Sequence, residues 1–118
     1  MREHDLQIAV AQFLALCLPP ESFCTSIDHG AGRMEPIAAK LRKARGVQRG
    51  IPDVLVLANG VCLFIELKAL KGRLSPEQIE VGQKIRANGF GWEVCRSLTE
   101  VELACRKHGI ELRGRMAA

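Results

Sequence analysis

The chain has 118 residues, 47% hydrophobic and 25% charged, with a formal net charge of +4. That length accommodates one domain, residues 1–118, and the composition is ordinary for a soluble globular protein; no apolar run approaches the roughly 18 residues of a membrane span. The charged start, with Arg2, Glu3, His4 and Asp5 ahead of the first apolar residues, is unlike a signal peptide, so a cytoplasmic location is expected.

Leu6, Ala9, Val10, Phe13, Leu14 and Cys17 recur at offsets of three and four, the apolar stripe of an amphipathic helix that must stop before Pro19-Pro20. Residues 22–28 alternate polar and apolar side chains and predict a first strand. The next segment, Gly30 to Gly50, carries Arg33, Lys40, Arg42, Lys43, Arg45 and Arg49 against the single acid Glu35, a local +5 that exceeds the charge of the whole molecule. Within it, Glu35 to Ala44 can form a short helix.

Val54–Ala58 and Val61–Leu67 are apolar, β-branched runs separated by Asn59-Gly60, the strongest short-range signal for a type I′ hairpin. Ser75-Pro76-Glu77-Gln78 reads as a helix start, with Ser75 as N-cap and Gln78 completing a capping box; that helix runs to Asn88-Gly89. Gly91–Arg96 reads as a last strand, Ser97–His108 as a last helix with a Ser97/Glu100 capping box, and Arg113–Ala118 as a frayed tail.

The five cysteines lack the Cys-x-x-Cys spacing of a zinc site and most sit in apolar stretches, as buried free thiols do. The three histidines have no partner spacing. The five aromatic residues, Phe13, Phe23, Phe64, Phe90 and Trp92, form no stacking platform for single-stranded nucleic acid.

The hairpin carries the chemistry. With Asn59-Gly60 as a two-residue turn, facing residues have numbers that sum to 119, which sets Asp53 opposite Glu66. Facing residues share one side of a sheet with Cβ atoms about 4.5 to 5.5 Å apart, and the period of two adds Lys68 to that side. Two carboxylates so close repel by about 3 to 4 kcal/mol at an effective dielectric near 20, so the arrangement needs an offsetting charge. Mg²⁺ is typically held by one or two carboxylates together with a substrate phosphate. An isolated Glu-x-Lys is more often a plain ion pair. Here the surrounding strands are apolar on both sides, and acids in a buried hairpin require a reason.

Gly50-Ile51-Pro52-Asp53, then Glu66-Leu67-Lys68, then Gly72-Arg73-Leu74-Ser75-Pro76-Glu77-Gln78 together resemble the VRR-NUC domain, the virus-type replication-repair branch of the PD-(D/E)XK nuclease superfamily. The resemblance covers nearly the whole chain. It implies an α/β fold with a mixed central sheet of about four strands flanked by helices. It also implies Mg²⁺ or Mn²⁺ held by Asp53, Glu66 and the backbone carbonyl of Leu67, with Lys68 catalytic and Gln78 near the scissile phosphate. Glu3, in a Glu-x-x-apolar-Gln pattern on the first helix, corresponds to a further metal-facing acid.

Standalone members look like phage or prophage proteins that dimerise and cut branched DNA, notably four-way junctions, which implies a homodimer here. Arg33, Arg42, Lys43, Arg45 and Arg49 before the acids, and Lys71 and Arg73 after them, are the expected phosphate contacts; such contacts make binding salt-dependent without reading sequence. The intact acid and lysine set favours a metal-dependent endonuclease over a non-catalytic DNA-binding module of the same fold, which would have no need of it.

Overall fold

The computed structural model describes residues 1–27 and 35–114. Eight elements follow the chain: α1 (Glu3–Cys17), β1 (Phe23–Ser26), α2 (Pro36–Ala44), β2 (Val54–Ala58), β3 (Val61–Leu67), α3 (Pro76–Ala87), β4 (Gly91–Cys95) and α4 (Leu98–Lys107). This is the expected order of elements. The first strand is shorter than residues 22–28, ending at Ser26, and the last of those residues lies outside the described set.

The sheet has the order β1-β2-β3-β4. The first three strands are antiparallel neighbours and β4 runs parallel to β3. A tight turn can join the antiparallel pair, whereas the parallel pair needs a crossover, which α3 provides. The turn at Asn59-Gly60 has φ of 53° and 74°, both positive as type I′ requires, and the β2–β3 register obeys the expected sum from Ala58–Val61 to Val54–Ile65.

Alternation along the strands divides the side chains between two faces. Val54, Val56, Ala58, Leu63, Ile65 and Leu67 point to one face, where they meet Leu6, Val10, Phe13 and Leu14 of α1 and Val101, Ala104 and Cys105 of α4. This is the core. Its side chains are close-packed, so removing one such as Leu14 leaves a cavity and costs about 2 to 5 kcal/mol.

On the opposite face α3 lies over β4. Gly82 permits that approach, because a Cβ there would overlap the Trp92 indole. Arg86 completes the contact, with Nε and Nη2 donating to the Trp92 carbonyl and the guanidinium 5.0 Å from the ring centroid. The part of this face over β1 and β2 is more open than the apolar sequence suggests, and Phe23 and Leu57 remain exposed.

Helix capping follows the sequence with one departure. The Ser75/Gln78 capping box is complete. At α4, Ser97 Oγ accepts from the Glu100 N–H, but Glu100 Oε1 reaches past Ser97 to accept from the Arg96 N–H at 2.8 Å. All five cysteines are free, but only Cys95 and Cys105 are buried as expected; Cys17, Cys24 and Cys62 are half-buried. Burial lifts the thiol of Cys95 to about 12 and that of Cys105 to about 11, as suits inert core thiols. Among the described residues, no helix is long and apolar enough to cross a membrane.

Candidate active site

Asp53 sits where the chain enters the sheet, just before β2. Its amide donates to the Ile65 carbonyl at 3.1 Å and its carbonyl accepts from the Ile27 amide at 2.8 Å. The regular ladder therefore ends at Val54–Ile65, and Asp53 is not the ladder partner of Glu66 that the hairpin count predicted. Its amide instead takes the carbonyl of the residue already opposite Val54. The adjacent Pro52 restricts the local geometry, since its ring fixes φ and removes a donor, and the backbone bends at Asp53.

The side chains still meet. Asp53 Oδ2 accepts from the Leu67 amide at 2.8 Å, which turns the carboxylate toward β3. Glu66 is hydrogen-bonded to Asp53 through its own side chain. In an extended strand the N–H and C=O of one residue point to the same side, so the Leu67 carbonyl faces Asp53 as well.

Glu66 is the one buried charged residue among those described, with 1% of its surface exposed, and its Oε1 has no hydrogen-bond partner. Burial pushes its carboxyl up to about 9; the hydrogen bond to Asp53 and the Asp53 charge add to the rise, Lys68 opposes it, and Glu3 contributes slightly. Leaving a buried carboxyl oxygen unpartnered costs on the order of 1 to 3 kcal/mol. The donor set is two touching carboxylates, one with an unsatisfied oxygen, beside a backbone carbonyl: hard oxygen ligands of the kind Mg²⁺ takes.

Lys68, Gln78 and Glu3 surround this pair differently. Lys68, half-buried just past the end of β3, is near enough for its charge to be felt at Glu66. Gln78 lies in a cleft lined also by Arg49, Gly50, Ile51, Asp53, Ser75 and Glu77. There its Oε1 accepts from the Ser75 amide at 2.8 Å, so its capping role is real and Nε2 is the donor it has left. Glu3 is exposed at the start of α1; its charge is felt at Glu66, but among the described residues no three His, Cys, Asp or Glu side chains gather closely enough to hold a metal. The inner centre thus has two acids.

Among the described basic residues, Arg49 alone lines the cleft with Asp53. Lys43 and Arg45 are exposed and Arg42 half-buried in and just after α2, a helix with no buried residue. Lys71 and Arg73 are exposed in the loop after Lys68. Arg33 lies outside the described residues.

Gly50 does something the sequence did not disclose. With φ of +84° it approaches α3 so closely that a Cβ would collide with the Glu77 carbonyl. The start of α3, with Gln78, is thereby seated directly against the segment that leads into Asp53 and β2. The glycine was visible in the motif; its partner, 27 positions further along, was not.

A mixed sheet that brings two carboxylates and a lysine together at the ends of adjacent strands, between flanking helices, defines a nuclease-type domain with a PD-(D/E)XK-like core. The chain belongs to the VRR-NUC family: the profile of the VRR-NUC domain matches residues 21–98, well over half its length. Two solved structures have the same fold. A VRR_NUC domain protein, 22% identical, superposes with a TM-score of 0.65 over 92% of this chain and 88% of its own. A VRR_NUC domain, 23% identical, gives 0.58 over 92% and 98%. No curated protein matches the chain.

Proposed function

We propose that the protein is a Mg²⁺ or Mn²⁺-dependent endonuclease that hydrolyses phosphodiester bonds in branched DNA such as four-way junctions, working as a homodimer. The observation that carries the reading is Glu66. A buried carboxyl beside a second carboxylate, with one oxygen unsatisfied, is costly in the protein alone and becomes favourable once a divalent cation is bound. Asp53, Glu66 and the Leu67 carbonyl would hold that ion, and Glu3 would act on its outer waters. The bound ion would supply a lowered pKa for water and charge stabilisation on the phosphate.

The chain's own groups do the rest. Lys68, as its ammonium, orients the attacking water and counters charge on the phosphate oxygens as the P–O bond breaks. Gln78, its carbonyl oxygen tied to Ser75, donates through Nε2 to a phosphate oxygen across the cleft from Asp53. Arg49 at the cleft, Arg33, Arg42, Lys43 and Arg45 earlier in the chain, and Lys71 and Arg73 later in it grip the flanking phosphates.

The test is incubation of the purified protein with labelled linear duplex, flap, splayed-arm and four-way-junction DNA in Mg²⁺, Mn²⁺ or EDTA. Metal-dependent cleavage of the branched substrates is expected. Binding with no product on any substrate in either metal would overturn the reading in favour of a non-catalytic DNA-binding module.

A further inference from the structure

Arg96, just beyond β4, extends its side chain across to the loop that follows Lys68. A single guanidinium nitrogen, Nη1, donates to the carbonyls of Ala69 at 2.7 Å, Leu70 at 3.3 Å and Gly72 at 2.7 Å. Three carbonyl dipoles converging on one cation form charge-assisted bonds, which are roughly twice as strong as neutral ones. The loop closes further on itself through the Gly72 amide, which donates to the Ala69 carbonyl at 2.9 Å.

The folded loop bears directly on the lysine. An atom at the Cβ position of Gly72 would lie 3.5 Å from Lys68 Cδ, ordinary contact distance, so the loop backbone at Gly72 flanks the aliphatic stem of Lys68. The main chain of Lys68 is fixed from the same strand end, its amide donating to the Cys95 carbonyl at 3.1 Å. Arg96 is itself anchored, because its amide is held by Glu100 Oε1 at the start of α4.

We propose that Arg96 is a positioning residue for Lys68: by gathering the 69–72 carbonyls it folds the loop against the lysine stem and aims the ammonium at the Asp53–Glu66 pair. This rests on the nuclease reading for its kinetic consequence, though not for its structural one. Arg96 touches neither acid.

Two measurements on Arg96→Ala and Arg96→Lys test it. In the metal-free protein, relaxation of ¹³Cε-labelled lysine reports the mobility of the Lys68 side chain without any need for activity. Lys68 is expected to become more mobile in Arg96→Ala and to be largely restored in Arg96→Lys, whose three ammonium protons can serve the same carbonyls. In cleavage assays Arg96→Ala should lose roughly tenfold or more in kcat with KM for DNA within about twofold, and Arg96→Lys should recover much of the loss.

An unchanged Lys68 signal in a folded Arg96→Ala, or no recovery by Arg96→Lys, overturns the proposal. Should Arg96→Ala fail to fold, the contrast between Arg96→Lys and Arg96→Gln decides the same question, since glutamine keeps a donor and lacks the charge. If the wild-type protein cleaves nothing, the nuclease reading fails alone, and the lysine mobility still decides the coupling.

Discussion

At its Asn59-Gly60 end the β2–β3 hairpin closes with both turn residues at positive φ and with Asn59 Oδ1 accepting the Glu111 amide at 2.9 Å, so the turn also ties down the segment after α4. At its other end the ladder stops one pair short, the Asp53 amide shares the carbonyl opposite Val54, and Glu66 is buried with one oxygen unpartnered. The same two strands therefore end once in favour of stability and once against it. Residues that cost the fold something at one end only are best explained by what they would bind, and this contrast can be broken experimentally from either side.

The largest effect belongs to the strained end. Asp53→Ala, Glu66→Ala and Lys68→Ala should each reduce cleavage at least about 100-fold while leaving most DNA affinity, measured by single-turnover assay beside a binding titration. Undiminished cleavage by Lys68→Ala would sink the proposed role of the lysine.

The second effect concerns stability in the absence of metal. The Glu66 carboxyl is raised to about 9 in the folded protein, against about 4.5 when unfolded, so the folded state keeps a proton that the unfolded state releases. Stability should be greatest below about pH 4.5, as far as this group is concerned, and should fall as pH rises from there toward 9. Glu66→Gln removes that loss: urea denaturation in EDTA should show it more stable than wild type by roughly 2 to 4 kcal/mol at pH 8, and by much less at pH 5. Mg²⁺ should reverse the order by stabilising wild type alone. A parallel pH profile for the two proteins would show that Glu66 is not strained.

Gly50→Ala comes third. Its Cβ has to displace the start of α3 and sits at a φ that alanine resists, so a loss of about 1 to 3 kcal/mol is expected, with cleavage falling further than the unfolded fraction explains because Gln78 moves with the helix. The smallest effect is at the comfortable end. Asn59→Ala should cost about 1 to 2 kcal/mol in thermal or urea denaturation and leave cleavage per folded molecule unchanged. A loss of activity there would erase the distinction between the two ends.

Local chemistry made much of this molecule legible in the sequence. The Asn59-Gly60 turn, the Ser75/Gln78 cap and the apolar stripe of α1 each depend on residues within a few positions of one another, and such short-range preferences survive in any tertiary context. The hairpin count, likewise, brought Asp53, Glu66 and Lys68 to neighbouring strand ends. What counting could not supply was the end of the ladder. Strand pairing by arithmetic assumes regular geometry, and at Pro52-Asp53 the backbone departs from it, so the two acids meet through their side chains rather than as facing ladder residues.

Long-range contacts decided the remainder. Nothing near Gly50 foretells the carbonyl of Glu77, and nothing near Arg96 foretells the carbonyls of Ala69, Leu70 and Gly72. These contacts arise because the β3–α3–β4 crossover returns the chain beside its own earlier strand, a proximity with no local sequence signal. The sequence by itself determined the elements, the family and the candidate site residues, because those follow from residue type and spacing. Only the tertiary structure decided that Glu66 is buried with one oxygen unsatisfied, that Glu3 is exposed, and that an arginine just beyond β4 gathers the carbonyls of the loop after Lys68, because burial and long-range contacts are properties of the assembled fold.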